Sequence, residues 1–370
     1  MSWSDPNPDP QLLKQLGVAP FQQRLPWWGG DLQTLRDTLR PVDLPIDQGQ
    51  PFEIKVPALT SGAAGSGALL AFLDCPPAPK ALVVVLHGLG GSSRREGLRR
   101  LGIALFEAGY AVLRLNMRGA DPGRHLAGGT YAAQCNSDLL PVLQRARQLC
   151  RTLTSEGTPL PLFGAGLSLG GTMLLNACLS TSAERVAAGL DPARQPLDGL
   201  FCASSPLDLA ACSASIERPR NRVYQRWLLQ RLVRQTLADP FGVSDLDLGQ
   251  LCGAEQPRTI RAFDSAVTAP RWGFADVDGY YREASPLQHL IQSPRSLPPT
   301  LLLQALDDPW VPARSALELR EAVSTDQSND QLNDQPIQLL FTREGGHNGF
   351  HGRTGCWADA LAVSWLQTLK

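Results

Sequence analysis

The chain has 370 residues, 34 basic and 35 acidic side chains, a formal net charge of -1 and 43% hydrophobic residues. A disordered chain would be less hydrophobic and carry more net charge, and a nucleic-acid-binding chain would have a basic excess, so neither class fits. The length and the hydrophobic content allow a core of useful size.

The N-terminal segment, residues 1–50, is rich in Pro, Gln and Asp around the aromatic sequence Pro26-Trp27-Trp28. It lacks the basic stretch and apolar run of a secretory signal. No apolar run in the chain reaches the roughly 18 residues that a membrane-spanning helix needs. We therefore predict an N-terminal arm packed on the core of a soluble, cytoplasmic protein.

Short apolar runs typical of buried strands alternate with helix-period segments through residues 51–370. The strand-like runs are 81–87, 111–116, 162–167, 199–204, 300–306 and 336–342. The helix-like segments are 94–108, 136–153, 171–179, 313–323 and 358–369. Strand followed by helix, repeated, predicts an α/β fold with a mostly parallel, doubly wound sheet and helices on both faces.

The alternation is interrupted at about 207–294, where helical and loop signals occur without an obvious strand. We expect a helical cap inserted into the α/β domain. Within it, residues 217–234 carry six arginines and one acid among apolar residues. Such a basic amphipathic helix either packs on the domain with a solvated arginine face or contacts an anionic membrane surface. The polar run 326–335 is expected to be a solvated loop.

A candidate nucleophile lies in Gly166-Leu167-Ser168-Leu169-Gly170, which fits the pattern G-x-S-x-G. The motif directly follows an apolar strand and precedes the small-residue start of a helix. In this strand–turn–helix setting, glycines on both sides of the serine permit a strained turn that exposes its hydroxyl. We therefore predict Ser168 as the nucleophile.

A serine hydroxyl needs a general base, and the base needs a carboxylate that orients it. Of the five histidines, His347 lies in a glycine-flanked loop after the last apolar strand, and Asp308 follows the strand before it. Carboxyl ends of parallel strands meet at one sheet edge, so both side chains are expected beside Ser168. The order serine, aspartate, histidine is that of α/β-hydrolases.

Acyl transfer also needs hydrogen-bond donors for the developing oxyanion. The loop His87-Gly88-Leu89-Gly90-Gly91 follows the first strongly apolar strand, where such a loop contributes one backbone N–H. We predict the N–H groups of Leu89 and Leu169 as the donors and a structural role for His87. This chemistry requires neither a metal nor an organic cofactor, and the eight cysteines form no C-x-x-C pair.

Several stretches of the chain resemble the YheT-like branch of α/β-hydrolases, which is related to animal hydrolase-domain lipases and yeast medium-chain ester-forming enzymes. The stretch from Phe263-Asp264 to Tyr280-Tyr281 is the most specific to that branch. The others are Pro26-Trp27-Trp28, Leu32-Gln33-Thr34, His87 to Ser93, Leu115 to Gly119, Gly166 to Gly171, Pro206 to Leu209, Asp307-Asp308-Pro309 and Gly345-Gly346-His347.

The resemblance implies a serine carboxylic-ester hydrolase that acts on small acyl esters or monoacylglycerol-like lipids. By position, Ser168 resembles the nucleophile, Asp308 the acid and His347 the base of that family. The spacing from Asp308 to Val311-Pro312 favours Asp308 over its neighbour Asp307, which stays open as the alternative.

The chain departs from its relatives at Asp31, Ala132 and Asn348, where they commonly have His, His and Leu. These departures bear on the substrate because they change what the pocket wall can pair with. Two alternative functions remain at this point: acyl transfer to an alcohol, and binding by an idle hydrolase fold. The sequence predicts no nucleic-acid partner, and it does not give the oligomeric state or the acyl chain length.

Overall fold

The computed structural model describes residues 10–59, 67–154, 157–253, 256–325 and 336–369, so the predicted loop at 326–335 lies outside the described residues. Eight described strands form one sheet in the order β1-β2-β4-β3-β5-β6-β7-β8. They are β1 (Gln50–Val56), β2 (Gly67–Asp74), β3 (Leu82–Leu86), β4 (Ala111–Leu115), β5 (Leu162–Leu167), β6 (Gly199–Ala203), β7 (Thr300–Ala305) and β8 (Ile337–Thr342). A further short pair joins β9 (His351–Gly352) and β10 (Gly355–Cys356).

The six predicted strands are β3 to β8, with ends that differ by at most one residue. All neighbours from β4 through β8 are parallel, whereas β1 pairs with β2 and β2 with β4 in antiparallel fashion. Strands β3, β4, β6 and β7 are buried along their whole length, as expected when helices cover both faces. The prediction of an α/β, mostly parallel sheet is therefore confirmed.

The antiparallel edge hairpin of β1 and β2 was not predicted. In β1, Ile54 and Val56 are buried while the residues between and before them are more exposed, which is a period-two pattern. Pro51 lies on this edge strand, where a missing N–H costs no ladder hydrogen bond. The signal for β1 was thus present in the sequence, but β1 is more polar than the parallel strands.

Helices lie on both faces of the sheet because alternate residues of each strand point in opposite directions. On one face, Leu82, Val84 and Leu86 of β3 join a core formed with α4 (Asn136–Thr152), α5 (Leu169–Cys178) and α14 (Arg314–Thr325). On the other, Val83 and Val85 pack with α1 (Pro10–Gln15), α3 (Glu96–Glu107) and α15 (Trp357–Thr368). The remaining helices of the arm and main domain are α2 (Gly30–Leu39), α6 (Ser182–Ala187) and a 3-10 turn at Gly123–Leu126.

The described chain between β6 and β7 contains no strand and is built from helices. These are α7 (Leu209–Ile216), α8 (Arg222–Leu237), α9 (Asp245–Cys252), α10 (Ile260–Phe263), α11 (Ala269–Arg271), α12 (Val277–Ala284), α13 (Leu287–Gln292), a π-helical turn at Asp264–Thr268, and 3-10 turns at Pro219–Asn221 and Pro294–Ser296. Much of this segment shares a small apolar core of its own, which includes Ile216, Leu228 and Phe263. We refer to residues 207–294 as the cap; the division into arm, hydrolase domain and cap stays a prediction.

None of the helices in the described part of the chain combines the length and the apolar character that crossing a bilayer requires.

Candidate active site

The three residues predicted as a triad meet at the carboxyl edge of the sheet, where β5, β7 and β8 end. His347 Nε2 lies 2.8 Å from Ser168 Oγ, and His347 Nδ1 lies 2.9 Å from Asp308 Oδ2. Asp308 can only accept as a carboxylate, so Nδ1 carries the proton and Nε2 faces the serine as an acceptor. The structure therefore brings the three side chains together in the arrangement used for acyl transfer.

Ser168 occupies a sharp turn between β5 and α5, with φ 54° and ψ -129°. Its backbone N–H donates to the carbonyl of Ala203 at 2.8 Å, which ties the turn to β6. A Cβ on Gly166 would meet the backbone of Gly171, and one on Gly170 would lie 2.5 Å from the Leu86 carbonyl oxygen. Close packing therefore requires the glycines of the motif, and the turn exposes the Ser168 hydroxyl.

Asp308 is the carboxylate that contacts the histidine, and its side chain is fully buried. Its Oδ1 accepts the backbone N–H groups of Trp310 at 2.8 Å and Val311 at 2.9 Å. These two donors fix the carboxylate so that the other oxygen faces His347. The Trp310 indole also lies against the imidazole, with 4.4 Å between the ring centroids.

Asp307, the alternative acid, points to a different partner. Its Oδ1 accepts the backbone N–H of Gly346 at 2.8 Å, and its Oδ2 is buried without a partner among the described residues. Burial raises the pKa of Asp307 to about 6 against the effect of the Gly346 hydrogen bond, and the charge of Asp308 adds to the rise. Asp307 thus supports the loop that carries His347 and does not contact the imidazole.

The N-terminal arm makes hydrogen bonds to the loop that carries His347. The His347 backbone N–H donates to Thr34 Oγ1 at 2.8 Å, and that hydroxyl donates to the Gly30 carbonyl at 2.6 Å. The buried Gln33 side chain donates to the carbonyls of Trp27 and His351 and accepts the His351 N–H. The sequence analysis predicted no role for Thr34 or Gln33. The one feature that could have indicated a role is that both lie in a stretch that resembles the family.

The loop after β3 runs directly against the serine, since a Cβ on Gly88 would lie 2.8 Å from Ser168 Cβ. Tyr131 braces this loop: its hydroxyl accepts the Gly90 N–H at 2.7 Å and donates to the Gly88 carbonyl at 3.2 Å. The Leu89 N–H donates to no described group, and Leu169 opens α5, where a first-turn N–H has no intrahelical acceptor. Both predicted donors thus have an N–H free for a ligand oxygen.

His87 lies beneath this loop and is buried. Its Nδ1 donates to the Gly88 carbonyl at 2.8 Å, and its Nε2 accepts the Met117 N–H at 3.2 Å. Burial lowers the pKa of His87 to about 4, so the ring is neutral near pH 7. These contacts hold the loop in place and leave no ring nitrogen free to act as a base.

A cavity of about 570 Å³ opens above Ser168, which is the size of a pocket for a small ligand. The sheet-side wall, which we define by Gly88, Leu89, Tyr131, Ser168 and His347, faces a wall formed by the cap. The cap-side wall is mostly apolar and includes Leu228, Leu232, Ile260, Phe263, Tyr280 and Tyr281. Within the described residues, no three His, Cys, Asp or Glu side chains are grouped to hold a metal ion.

The three departures from the relatives lie at or near this cavity. Ala132 and Asn348 line it, and the Oδ1 of Asn348 is buried without a described partner. Asp31 accepts from Arg220 at 2.8 Å and from the Tyr224 hydroxyl at 3.0 Å, which ties the arm to the cap. Two of the departures therefore alter the cavity lining, and the third alters the contact between arm and cap.

Comparisons with known proteins identify the family and the fold of the chain. Residues 83–353 match the alpha/beta hydrolase family. The chain is 32% identical to "Putative esterase YheT" of Escherichia coli K12, over 78% of this chain and 77% of that protein. It is 28% identical to mouse phospholipase ABHD3, over 72% of this chain and 58% of that longer protein. The fold also matches a Pyrococcus furiosus esterase with a TM-score of 0.51 and 14% identity, covering 95% of this chain and 97% of that one.

Proposed function

The chain belongs to the alpha/beta hydrolase family and to its YheT-like branch, and on that premise we propose that it is a serine carboxylic-ester hydrolase. Its substrates are small acyl esters or monoacylglycerol-like lipids. The observation that carries the proposal is the hydrogen-bonded chain from Asp308 through His347 to Ser168, which ends in a cavity with a mostly apolar lining.

The proposed reaction has two steps. His347 Nε2 takes the proton of Ser168 as Oγ attacks the ester carbonyl, and the Leu89 and Leu169 N–H groups stabilise the oxyanion. The imidazolium then protonates the leaving alcohol, which leaves an acyl-serine. Water, activated by the same imidazole, cleaves the acyl-serine and restores the free hydroxyl. Asp308 keeps the proton on Nδ1 throughout.

The direct test compares the wild-type chain with Ser168→Ala on p-nitrophenyl esters from acetate to palmitate and on monoacylglycerols. We expect wild-type activity and a loss of several orders of magnitude in Ser168→Ala. Ser182→Ala, which removes an exposed hydroxyl on α6, is the matched control. Equal activity of wild type and Ser168→Ala would contradict the assignment of the nucleophile.

The two alternative functions are separated by additions to the same assay. Ester formation that depends on an added alcohol would identify acyl transfer, because the acyl-serine can be cleaved by an alcohol as well as by water. A folded chain that neither turns over esters nor reacts with a fluorophosphonate would support an idle site. The intact hydrogen bonds among the three triad side chains favour activity over an idle site.

The predicted membrane contact through α8 remains a proposal that can be tested. Location in the cytoplasm stays a prediction from the sequence. Arg222, Arg226, Arg234 and Arg258 line a surface groove beside Val223, whose exposed fraction is 79%. If this face contacts anionic lipid, the chain will co-sediment with liposomes that contain phosphatidylserine and less with neutral ones. Binding that is unchanged after replacing the α8 arginines by glutamine would reject the contact.

A further inference from the structure

A polar network on the cap-side wall has no part in the proposed reaction. Its members are Ser213, Asp264, Thr268 and Tyr281, and all four line the cavity that contains Ser168. The Tyr281 hydroxyl donates to Asp264 Oδ2 at 2.8 Å and lies 3.3 Å from Ser213 Oγ. The Thr268 hydroxyl donates to Asp264 Oδ1 at 2.7 Å, across the π-helical turn. The network therefore centres on one carboxyl group.

Asp264 makes no ion pair with any described residue, although it faces a cavity with a mostly apolar lining. Each of its oxygens accepts one hydroxyl, whereas a carboxylate has about four acceptor positions. Burying a carboxyl with unused acceptors is unfavourable unless another donor reaches it. The open acceptor positions therefore invite donors from a molecule inside the cavity.

The network is held in a fixed place relative to the sheet-side wall. The Tyr280 hydroxyl accepts the backbone N–H of Ala133 at 2.9 Å, and its ring lies 5.5 Å from that of Tyr281. Ala133 is two residues from Tyr131, which braces the loop at Gly88. Ser168 and Asp264 line the same cavity, so one ligand can contact both.

We propose that this network binds free hydroxyl groups on the alcohol portion of the ester, so that the chain selects acyl esters of polyols over acyl esters of simple alcohols. The inference rests on the proposed esterase function and specifies its substrate class. Hydroxyls fit this network because its hydroxyl and carboxyl groups can donate to and accept from a ligand hydroxyl. Burial raises the pKa of Asp264 to about 6, against the hydrogen bonds from Thr268 and Tyr281. The group is therefore neutral in part of the molecules near that pH, and a hydroxyl can bond to either form.

The test measures kcat and KM for three esters of one fatty acid: the ethyl ester, the 1-monoacylglycerol and the choline ester. In Asp264→Asn, we expect KM for the monoacylglycerol to rise roughly tenfold while kcat for that substrate changes little. For the ethyl ester, we expect little change in either kcat or KM. Asp278→Asn removes an exposed acid of α12 that pairs with Arg261 outside the cavity, so it is the matched control. Thr268→Val removes one hydroxyl at nearly constant volume and should act in the same direction by a smaller factor.

Several results would overturn the subsite. An equal rise in KM for the ethyl ester and the monoacylglycerol would indicate a packing role, and a change confined to the choline ester would indicate a cation site. If Asp264→Asn does not fold, as judged by circular dichroism, the Thr268→Val series decides between these outcomes. Failure of the proposed function is distinguishable, because the wild-type chain would then turn over none of the three esters and resist fluorophosphonate.

Discussion

The two walls of the cavity are built in different ways. On the sheet-side wall, main-chain geometry places the reactive atoms: Ser168 occupies a strained turn, and two backbone N–H groups hold Asp308. On the cap-side wall, side chains from short helices share a small apolar core and present a mostly apolar surface with one polar network. We infer that the sheet-side wall sets the chemistry and the cap-side wall sets the choice of substrate.

The largest expected effect comes from changing the two adjacent acids that follow β7, Asp307 and Asp308, which support the sheet-side wall from behind. Asp308→Asn should lower kcat by about 10⁴-fold, because the amide no longer holds the imidazole in the useful tautomer. Asp307→Asn should stay close to wild type, because its oxygen can still accept the Gly346 N–H. Both are measured with p-nitrophenyl butyrate. Similar losses in the two variants would show that the contact with His347 is not what matters.

A smaller effect is expected from the arm that supports the sheet-side wall. Thr34→Val removes the acceptor of the His347 backbone N–H, and an unsatisfied buried donor costs about 1–3 kcal/mol. We expect a lower free energy of unfolding in urea and a kcat lowered roughly tenfold, as the loop shifts. Thr34→Ser keeps the hydroxyl and should restore kcat. A Thr34→Ser variant as impaired as Thr34→Val would contradict the role of the hydroxyl, because Ser keeps that group and Val does not.

Two partly buried acids, Asp307 beside the loop that carries His347 and Asp264 on the cap-side wall, provide a comparison by pH. Burial raises the pKa of both Asp307 and Asp264 from the usual 3.8 to about 6, so the folded state favours their protonated forms. Their contribution to stability is full below pH 3.8 and is lost as the pH rises through about 6. The free energy of unfolding of each Asn variant, minus that of wild type at the same pH, should therefore be about 1–2 kcal/mol higher at pH 8 than at pH 4.

Urea unfolding at the two pH values measures this difference for each variant. Asp307→Asn is expected to change stability and leave the preference among esters unchanged, whereas Asp264→Asn is expected to change both. A pH-independent difference in either variant would contradict the raised pKa of that acid.

The smallest expected effect concerns acyl chain length and the apolar part of the cap-side wall. Leu232→Val removes one methylene from a residue that lines the cavity, while Leu229→Val makes the same change in α8 away from it. A buried methylene is worth about 0.8 kcal/mol, so Leu232→Val should shift the preference toward longer acyl chains by about fourfold. The chain-length profile on p-nitrophenyl esters measures the shift. An equal shift in Leu229→Val would show that the cap acts only through its stability.

Much of the fold could be predicted because its signals are local. Continuous apolar runs marked β3 to β8, and most of those strands are buried along their whole length. The β1–β2 hairpin was not predicted because the edge strand β1 is half exposed and mixes polar with apolar residues. The start of α5 was placed two residues late, because Leu169 continues the apolar character of β5 and only the turn at Ser168 separates them.

For the candidate site, the sequence by itself determined the residue types, their order along the chain and their place after strands, since each depends on a few neighbouring residues. Tertiary structure alone decided which partners they contact. Gln33 pairs with His351 across 318 positions of the chain, and Thr34 with His347 across 313. The presence of Asp264 and Ser168 in the lining of one cavity was likewise decided by the packing of the cap on the sheet edge. Contacts between distant segments depend on how whole elements pack, and no local pattern of residues encodes that.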